Sequence, residues 1–235
     1  MSTISVIIPT YQHEQTLSRC LDSLLAQSRT ADEIIVIDDG STDATQELLA
    51  RYRSRVQSYY QTNQGAPAAR NAGAAHSHGD LLLFCDADIQ ADSHLLKEME
   101  QALQSHPQAA YAYGVFFWGK KRFAYTPFDA NILRQHNFIH TTSLIRRTAF
   151  VGFDPTLKRF QDWDLWLTLL ENGQMGIGIN KELFRVLPDH GRASISTWMP
   201  SIMYRLPWNR IGWMPKTLRD YKMAMNVIKQ KHHLV

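Results

Sequence analysis

Short apolar runs alternate with stretches of helical periodicity through the first hundred residues. "ISVIIP" (4–9) reads as a buried strand ended by Pro9. Leu17, Cys20, Leu21, Leu24 and Leu25 then recur at the i, i+3, i+4, i+7, i+8 spacing of an amphipathic helix. "EIIVI" (33–37) is a second apolar strand, and "DDGSTDAT" supplies a turn and several N-cap candidates before a helix carrying Leu48, Leu49 and Tyr52. "VQSYYQT" (56–62) predicts a third strand, the Ala-rich "PAARNAGAAHS" (67–77) a closely packed helix, and "DLLLFC" (80–85) a fourth strand. Asp92 or Ser93 caps the next helix, whose stripe is Leu95, Leu96, Met99 and Leu103. Strands and helices alternating at this interval predict an α/β fold with a mostly parallel sheet wrapped by helices.

The second half is less regular. "AAYAYGVFFWGKKRFAY" (109–125) predicts two strands around a Gly-Lys-Lys turn, "FIHTTSLIRR" (138–147) another strand, and "QDWDLWLTLLENG" (161–173) a helix stopped by Gly173. No internal repeat, low-complexity run or linker marks a boundary before about residue 197.

At 235 residues the chain suits one substantial α/β domain better than two. Its 44% hydrophobic and 20% charged content exclude disordered, collagen-like and disulfide-scaffold classes. Cys20 and Cys85 fall in apolar positions and read as small buried hydrophobes, which favours a reducing compartment. The opening residues show no signal-peptide pattern, and no apolar run approaches about 18 residues. The expectation is a cytoplasmic protein. Its formal charge of +3 is unevenly spread: Tyr204 to Val235 hold seven basic residues and one acid, and the rest of the chain is net −3.

Candidate chemistry sits at the strand ends. Ligands of open α/β sheets bind beyond the carboxyl ends of the strands. There the chain places Pro9-Thr10-Tyr11, Asp38-Asp39-Gly40 and Asp86-Ala87-Asp88. Clustered carboxylates repel one another unless a cation or donors compensate, and hard oxygen ligands suit Mg²⁺ or Mn²⁺ bridging to a diphosphate. A lone Asp-x-Asp serves equally as a turn and helix cap.

Four blocks in order resemble the family 2 glycosyltransferases of the GT-A fold, from residue 4 to about residue 196: "SVIIPTYQHEQTLSRCLDSLLAQ", "DEIIVIDDGSTDAT", "NQGAPAARNAGAAHSHGDLLLFCDADI" and "FDPTLKRFQDWDLWLTLLENG". The resemblance implies a Rossmann-like catalytic domain over 1–203, with a nucleotide-binding half to about 105 and an acceptor-binding half beyond it. It implies that Pro9, Thr10 and Tyr11 wall the nucleotide pocket and that Asp38 and Asp39 contact base and ribose. Gly65 would let the backbone pass close to the donor, with Arg70 and Asn71 beside the nucleotide. Asp86, Ala87 and Asp88 form the D-x-D motif that holds Mg²⁺ or Mn²⁺ against the diphosphate, with His190 a further metal-side candidate. Asp162 matches the catalytic base of an inverting transfer to an acceptor hydroxyl. Gln161 departs from the family's Glu at the preceding position and brings no negative charge. Asp164 lies about 200° round the helix from Asp162, so the two do not face one sugar. Trp163 and Trp166 suit either sugar stacking or the core.

The donor expected is a nucleotide-diphosphate sugar, and the acceptor a glycan or lipid-linked acceptor of cell-surface polysaccharide or glycoconjugate synthesis. "GVFFWGKK" (114–121) has Lys121 where a P-loop needs Ser or Thr, and "GQMGIG" (173–178) follows a helix rather than preceding one, so neither is a nucleotide fingerprint. His136 and His140 share the spacing of one helical face, but their segment reads as strand. A nucleotidyltransferase would want a Gly-rich basic loop where "TYQHEQ" stands; a non-catalytic sugar-binding protein has only Gln161 in its favour. The basic extension, 204–235, mixes Trp208, Ile211, Trp213 and Met214 with Lys and Arg. That mixture suits peripheral contact with an anionic membrane on its inner face, or a helix packed on the domain. No nucleic-acid motif accompanies the charge.

Overall fold

A computed structural model describes residues 2–187 and 214–234. The predicted alternation is present: β1 (Ile4–Thr10), α1 (Leu17–Leu25), β2 (Glu33–Asp38), α2 (Thr45–Tyr52), β3 (Gln57–Tyr60), α3 (Ala66–His76), β4 (Leu81–Phe84) and α4 (Leu95–Ser105), with a short β5 (Ile89–Ala91) before α4. β1 runs one residue past Pro9, because Pro9 still lies opposite Ile37 in the parallel pairing with β2.

In the second half, β6 (Ala109–Trp118) turns through Gly119 into the two-residue β7 (Lys121–Arg122). The stretch 138–147 contributes only β8 (Leu144–Arg146), with 136–143 irregular. α5 (Ala130–Gln135) and β9 (Met175–Val186) were not foreseen, and α6 (Gln161–Glu171) ends as expected, with Gly173 at φ 73°.

The described strands form one mixed sheet in the order β3-β2-β1-β4-β8-β6-β9-β5, with β7 on β6. β1 to β4 are mutually parallel, β8 is antiparallel to β4 and β6, and β9 is parallel to β6. Alternation along each strand divides the core. Ile4, Val6 and Ile8 of β1 join Leu17, Leu21, Leu49 and Leu96 on the side of α1, α2 and α4. Ile7, Leu82 and Phe84 point to the other side, toward Ala74, Trp163 and Trp166. Both faces are covered, as a parallel sheet requires.

The basic extension includes α7 (Lys216–Lys231), which packs on the domain. Leu218 and Ile228 are fully buried, and Ile228 joins the cluster around α6. His232 bridges Asp164 and Glu171 through its two ring nitrogens, each at 2.8 Å, and Lys231 reaches Asp164 at 2.8 Å and Asp154 at 2.7 Å. This is the domain-packing alternative, realised for the end of the chain. Trp208, Ile211 and Trp213 lie outside the described residues.

Ile228→Ala removes a buried side chain on α7 and should cost about 2–5 kcal/mol in urea unfolding. Met223→Ala on the exposed face of the same helix should stay within about 0.5 kcal/mol.

Candidate active site

The parallel register sets the site. Thr10 pairs with Asp38, and Asp38 with Tyr60, so the first three strands end level with one another. Phe84 pairs with Ile7, which brings Asp86 level with Pro9 at the same edge. The loops after β1 and β2 are knitted by Gln12, whose amide donates to Thr42 Oγ1 and accepts from the Thr42 and Asp43 backbone N–H groups. Tyr11, ahead of Gln12, is exposed.

Asp38 and Asp39 are both buried, but they do different work. Asp39 accepts from the Gln61 side chain and the Gln64 and Gly65 backbone at 2.7–2.9 Å, so it shapes the loop that enters α3. Asp38 Oδ1 accepts from the Ser41 N–H, and its Oδ2 is buried with no partner among the described residues. A buried carboxylate oxygen left unpaired is costly unless a donor arrives from elsewhere. Gly65 stands at φ 91° ahead of α3, a conformation that L side chains rarely adopt.

Arg70 of α3 is the centre of the site. It is 6% exposed, and its Nη2 donates to Asp86 Oδ1 at 2.6 Å and its Nη1 to Gln161 Oε1 at 2.9 Å. Its guanidinium also lies over the Phe153 ring. One buried cation thus ties the D-x-D segment to the first turn of α6. Asn71, the next residue, is engaged with the backbone of a later loop. Its amide donates to the Phe153 carbonyl and accepts from the Phe153 N–H, each at 2.8 Å, which anchors the loop before α6.

Burial pushes the Asp86 carboxyl up, but the Arg70 charge and hydrogen bond, together with the nearby His140 and His13, hold it below the usual carboxylate range. Asp162 goes the other way. Burial raises it, with the Asp86 charge adding, and the Trp163 N–H, Arg70 and Asn137 only partly compensate. Asn137 donates to Asp162 Oδ2 at 2.8 Å, and the Trp163 N–H holds Oδ1 at 2.9 Å. Asp164 turns away into the Lys231 and His232 cluster. Trp163 and Trp166 are core residues whose indole N–H groups bond the carbonyls of Leu133 and Ile139.

Asp86 and Asp88 supply two hard oxygen donors, and among the described residues no group of three His, Cys, Asp or Glu side chains could hold a metal alone. Two carboxylates fit a Mg²⁺ or Mn²⁺ that takes its other ligands from substrate phosphates. His190 lies outside the described residues.

His140, Asn137 and His13 are the residues that the motifs missed. His140 Nδ1 accepts from the Thr142 N–H at 3.0 Å, which leaves Nε2 to carry the proton. Its ring packs beside the stacked pair Phe116 and Phe184, and it feels the charges of Asp86 and Arg70. His136 is exposed and does not join it.

A mostly parallel α/β sheet with carboxylates at the ends of its strands, tied to the head of a later helix by one arginine, has the arrangement of a ligand-binding crevice. The chain belongs to the family described as Glycosyl transferase family 2, whose model matches residues 5–163. It is 25% identical over 248 residues to a putative teichuronic acid biosynthesis glycosyltransferase, TuaG, of Bacillus subtilis, covering 97% of each chain. It is 34% identical over 112 residues to the poly(ribitol-phosphate) β-N-acetylglucosaminyltransferase TarS of Staphylococcus aureus, a stretch covering 45% of this chain and 20% of TarS. An uncharacterized glycosyltransferase of Nostoc sp. is 36% identical over 106 residues, 43% of this chain and 33% of the relative, so the match spans a third or less of these two proteins. The fold is that of S. aureus TarS 1–349 in complex with UDP-GlcNAc, with a TM-score of 0.70 at 21% identity, covering 84% of this chain and 62% of that one. A mannosyltransferase from Pyrobaculum calidifontis in complex with GDP-Man and Mn²⁺ gives 0.66 at 20% identity, covering 81% and 58%.

Burial lowers His140 from 6.5 to about 4, with Arg70 adding and Asp86 opposing. The unfolded chain therefore binds more protons than the folded one in that window, and stability falls as pH drops through it. Unfolding free energies measured from pH 7 to pH 4 should show a shallower loss in His140→Asn than in the wild-type protein.

Proposed function

We propose that the chain is an inverting, metal-assisted glycosyltransferase that moves a sugar from a nucleotide-diphosphate sugar to an acceptor hydroxyl in cell-surface polysaccharide or glycoconjugate synthesis. The observation that carries the reading is the Arg70 bridge, which holds Asp86 of the D-x-D motif and the first turn of α6 to one guanidinium. TuaG and TarS, both named for cell-wall polymers, support the pathway class.

Each residue has a task in this reading. The unpartnered Asp38 oxygen accepts a ring N–H of the base, at the end of β2. Pro9, Thr10 and Tyr11 border the base, and the α3 entrance at Gly65 lies along the donor. Asp86 and Asp88 would hold a divalent cation, which supplies neutralising charge for the leaving nucleoside diphosphate. The acceptor oxygen bonds to the sugar C1 as the bond from C1 to the phosphate oxygen breaks, and the bonding pair leaves with the diphosphate. Asp162 takes the acceptor proton; its burial makes it a stronger base than an exposed aspartate. Asn137 and the Trp163 N–H fix its carboxylate.

Transfer and hydrolysis assays over UDP, GDP and dTDP sugars test this. Asp86→Ala, or EDTA, should abolish turnover, and Asp162→Asn should lower kcat by about 10²–10⁴-fold. Turnover that survives EDTA, or full activity of Asp162→Asn, overturns the mechanism. Nucleotide binding without turnover for any donor and acceptor overturns the transferase reading.

We further propose that α7 touches an anionic membrane surface. Met223 and Val227 are 53% and 49% exposed on one face of α7, with Lys216 and Arg219 exposed on its N-terminal half. Apolar side chains flanked by cations suit the headgroup boundary. Among the described residues no helix is long and apolar enough to cross a membrane. Because Ile228 is a core residue, point changes test this better than truncation. Met223→Glu with Val227→Glu should weaken co-sedimentation with phosphatidylglycerol vesicles while leaving the melting temperature in place; unchanged pelleting overturns it.

A further inference from the structure

Gln161 stands in the first turn of α6, one residue before Asp162, and both ends of its amide are engaged. Its Oε1 accepts from Arg70 Nη1 at 2.9 Å, and its Nε2 donates to the Leu157 carbonyl at 3.0 Å. Both ends of the amide are used, and in opposite senses. A carboxylate of the same shape satisfies the Arg70 end but turns a second acceptor toward the Leu157 carbonyl. The position therefore selects an amide by hydrogen bonding, not merely by size.

The charge consequence reaches the other arm of the guanidinium. Arg70 is buried, its Nε has no partner, and its second arm is committed to Asp86 at 2.6 Å. With a neutral partner at Gln161, Asp86 is, among the described residues, the one anion bonded to Arg70. A glutamate at 161 would share that cation, and would add a negative charge to a pocket that already holds Asp86 and Asp162. Charge added at this distance acts through a low-dielectric interior and is felt strongly.

We propose that Gln161 is a positioning residue that acts through Arg70 on Asp86. By holding the guanidinium without competing for its charge, it limits the pull of the carboxylate pair on a divalent cation, so that the cation and the nucleoside diphosphate can leave together after transfer. The proposal rests on the metal-assisted reading above and deepens it.

The test compares the wild-type chain with Gln161→Glu and Gln161→Met. Binding of Mn²⁺, in the presence of UDP or GDP, is followed by loss of the free-ion electron paramagnetic resonance signal. Both variants lose the bond to Leu157, so both should melt at a lower temperature. Gln161→Glu should nevertheless bind Mn²⁺ roughly threefold or more tightly than wild type, with a lower kcat, whereas Gln161→Met should stay within about twofold of wild-type affinity. A merely structural lesion weakens Mn²⁺ binding in both. Equal or weaker binding by Gln161→Glu, or equal tightening in Gln161→Met, overturns the proposal while leaving the transferase reading intact. Failure of the wild-type chain to bind Mn²⁺ with either nucleotide overturns the metal-assisted reading and this proposal with it.

Discussion

A buried guanidinium must have its hydrogen bonds and its counter-charge supplied by the fold, since removing either from a buried pair costs about 3–5 kcal/mol. Arg70 imposes that demand on three separate parts of this chain. α3 carries it, the end of β4 provides its anion, and the head of α6 provides its neutral acceptor. Asn71, one residue on, clasps the Phe153 backbone, and the Phe153 ring lies beneath the guanidinium. The end of β4 and the head of α6 are thereby joined at the carboxyl edge of the parallel strands. A small displacement of α6 would break the hydrogen bonding of a buried cation, so the spacing between Asp86 and Asp162 is held by electrostatics as well as packing.

The nucleotide-facing half was legible because its physics is local. β1, β2 and β4 are buried on both faces and so read as continuous apolar runs, and α1 and α4 show clean stripes. The positions of Asp38, Asp39 and Asp86 were legible from the same source, since strand ends locate the crevice, whereas Asp162 at the head of α6 was singled out by the family resemblance alone. β9 was not, because Gly176 and Gly178 stand where β9 runs beside Tyr111 and Tyr113 of β6, and a Cβ at either glycine would strike those rings. The strand therefore lacks the alternation that announces one. β8 was overextended because Phe138 and Ile139 are apolar for a different reason: Ile139 joins the core around α6, and Phe138 packs against it. His140 was lost with that error, since neither helical nor strand periodicity describes the irregular backbone that delivers it. The partner of Asn71 was not legible, because a motif gives a residue's position, whereas its partner depends on a loop 82 residues away.

The end of the chain was half legible. Its charge was visible, and so was its mixture with apolar side chains. What composition could not show is that Lys231 and His232 turn inward to an acid on α6, while Met223 and Val227 turn outward. One short helix thus carries a structural face and a face open to a surface.

That inward face has a consequence for how the fold comes apart. Asp164 is 4% exposed, two residues from Asp162, and its partners Lys231 and His232 stand at the end of α7 and just beyond it. Loosening α7 would leave a buried carboxylate without its partners, which is strongly unfavourable. α6 and α7 therefore share one buried charge and give way together rather than one at a time.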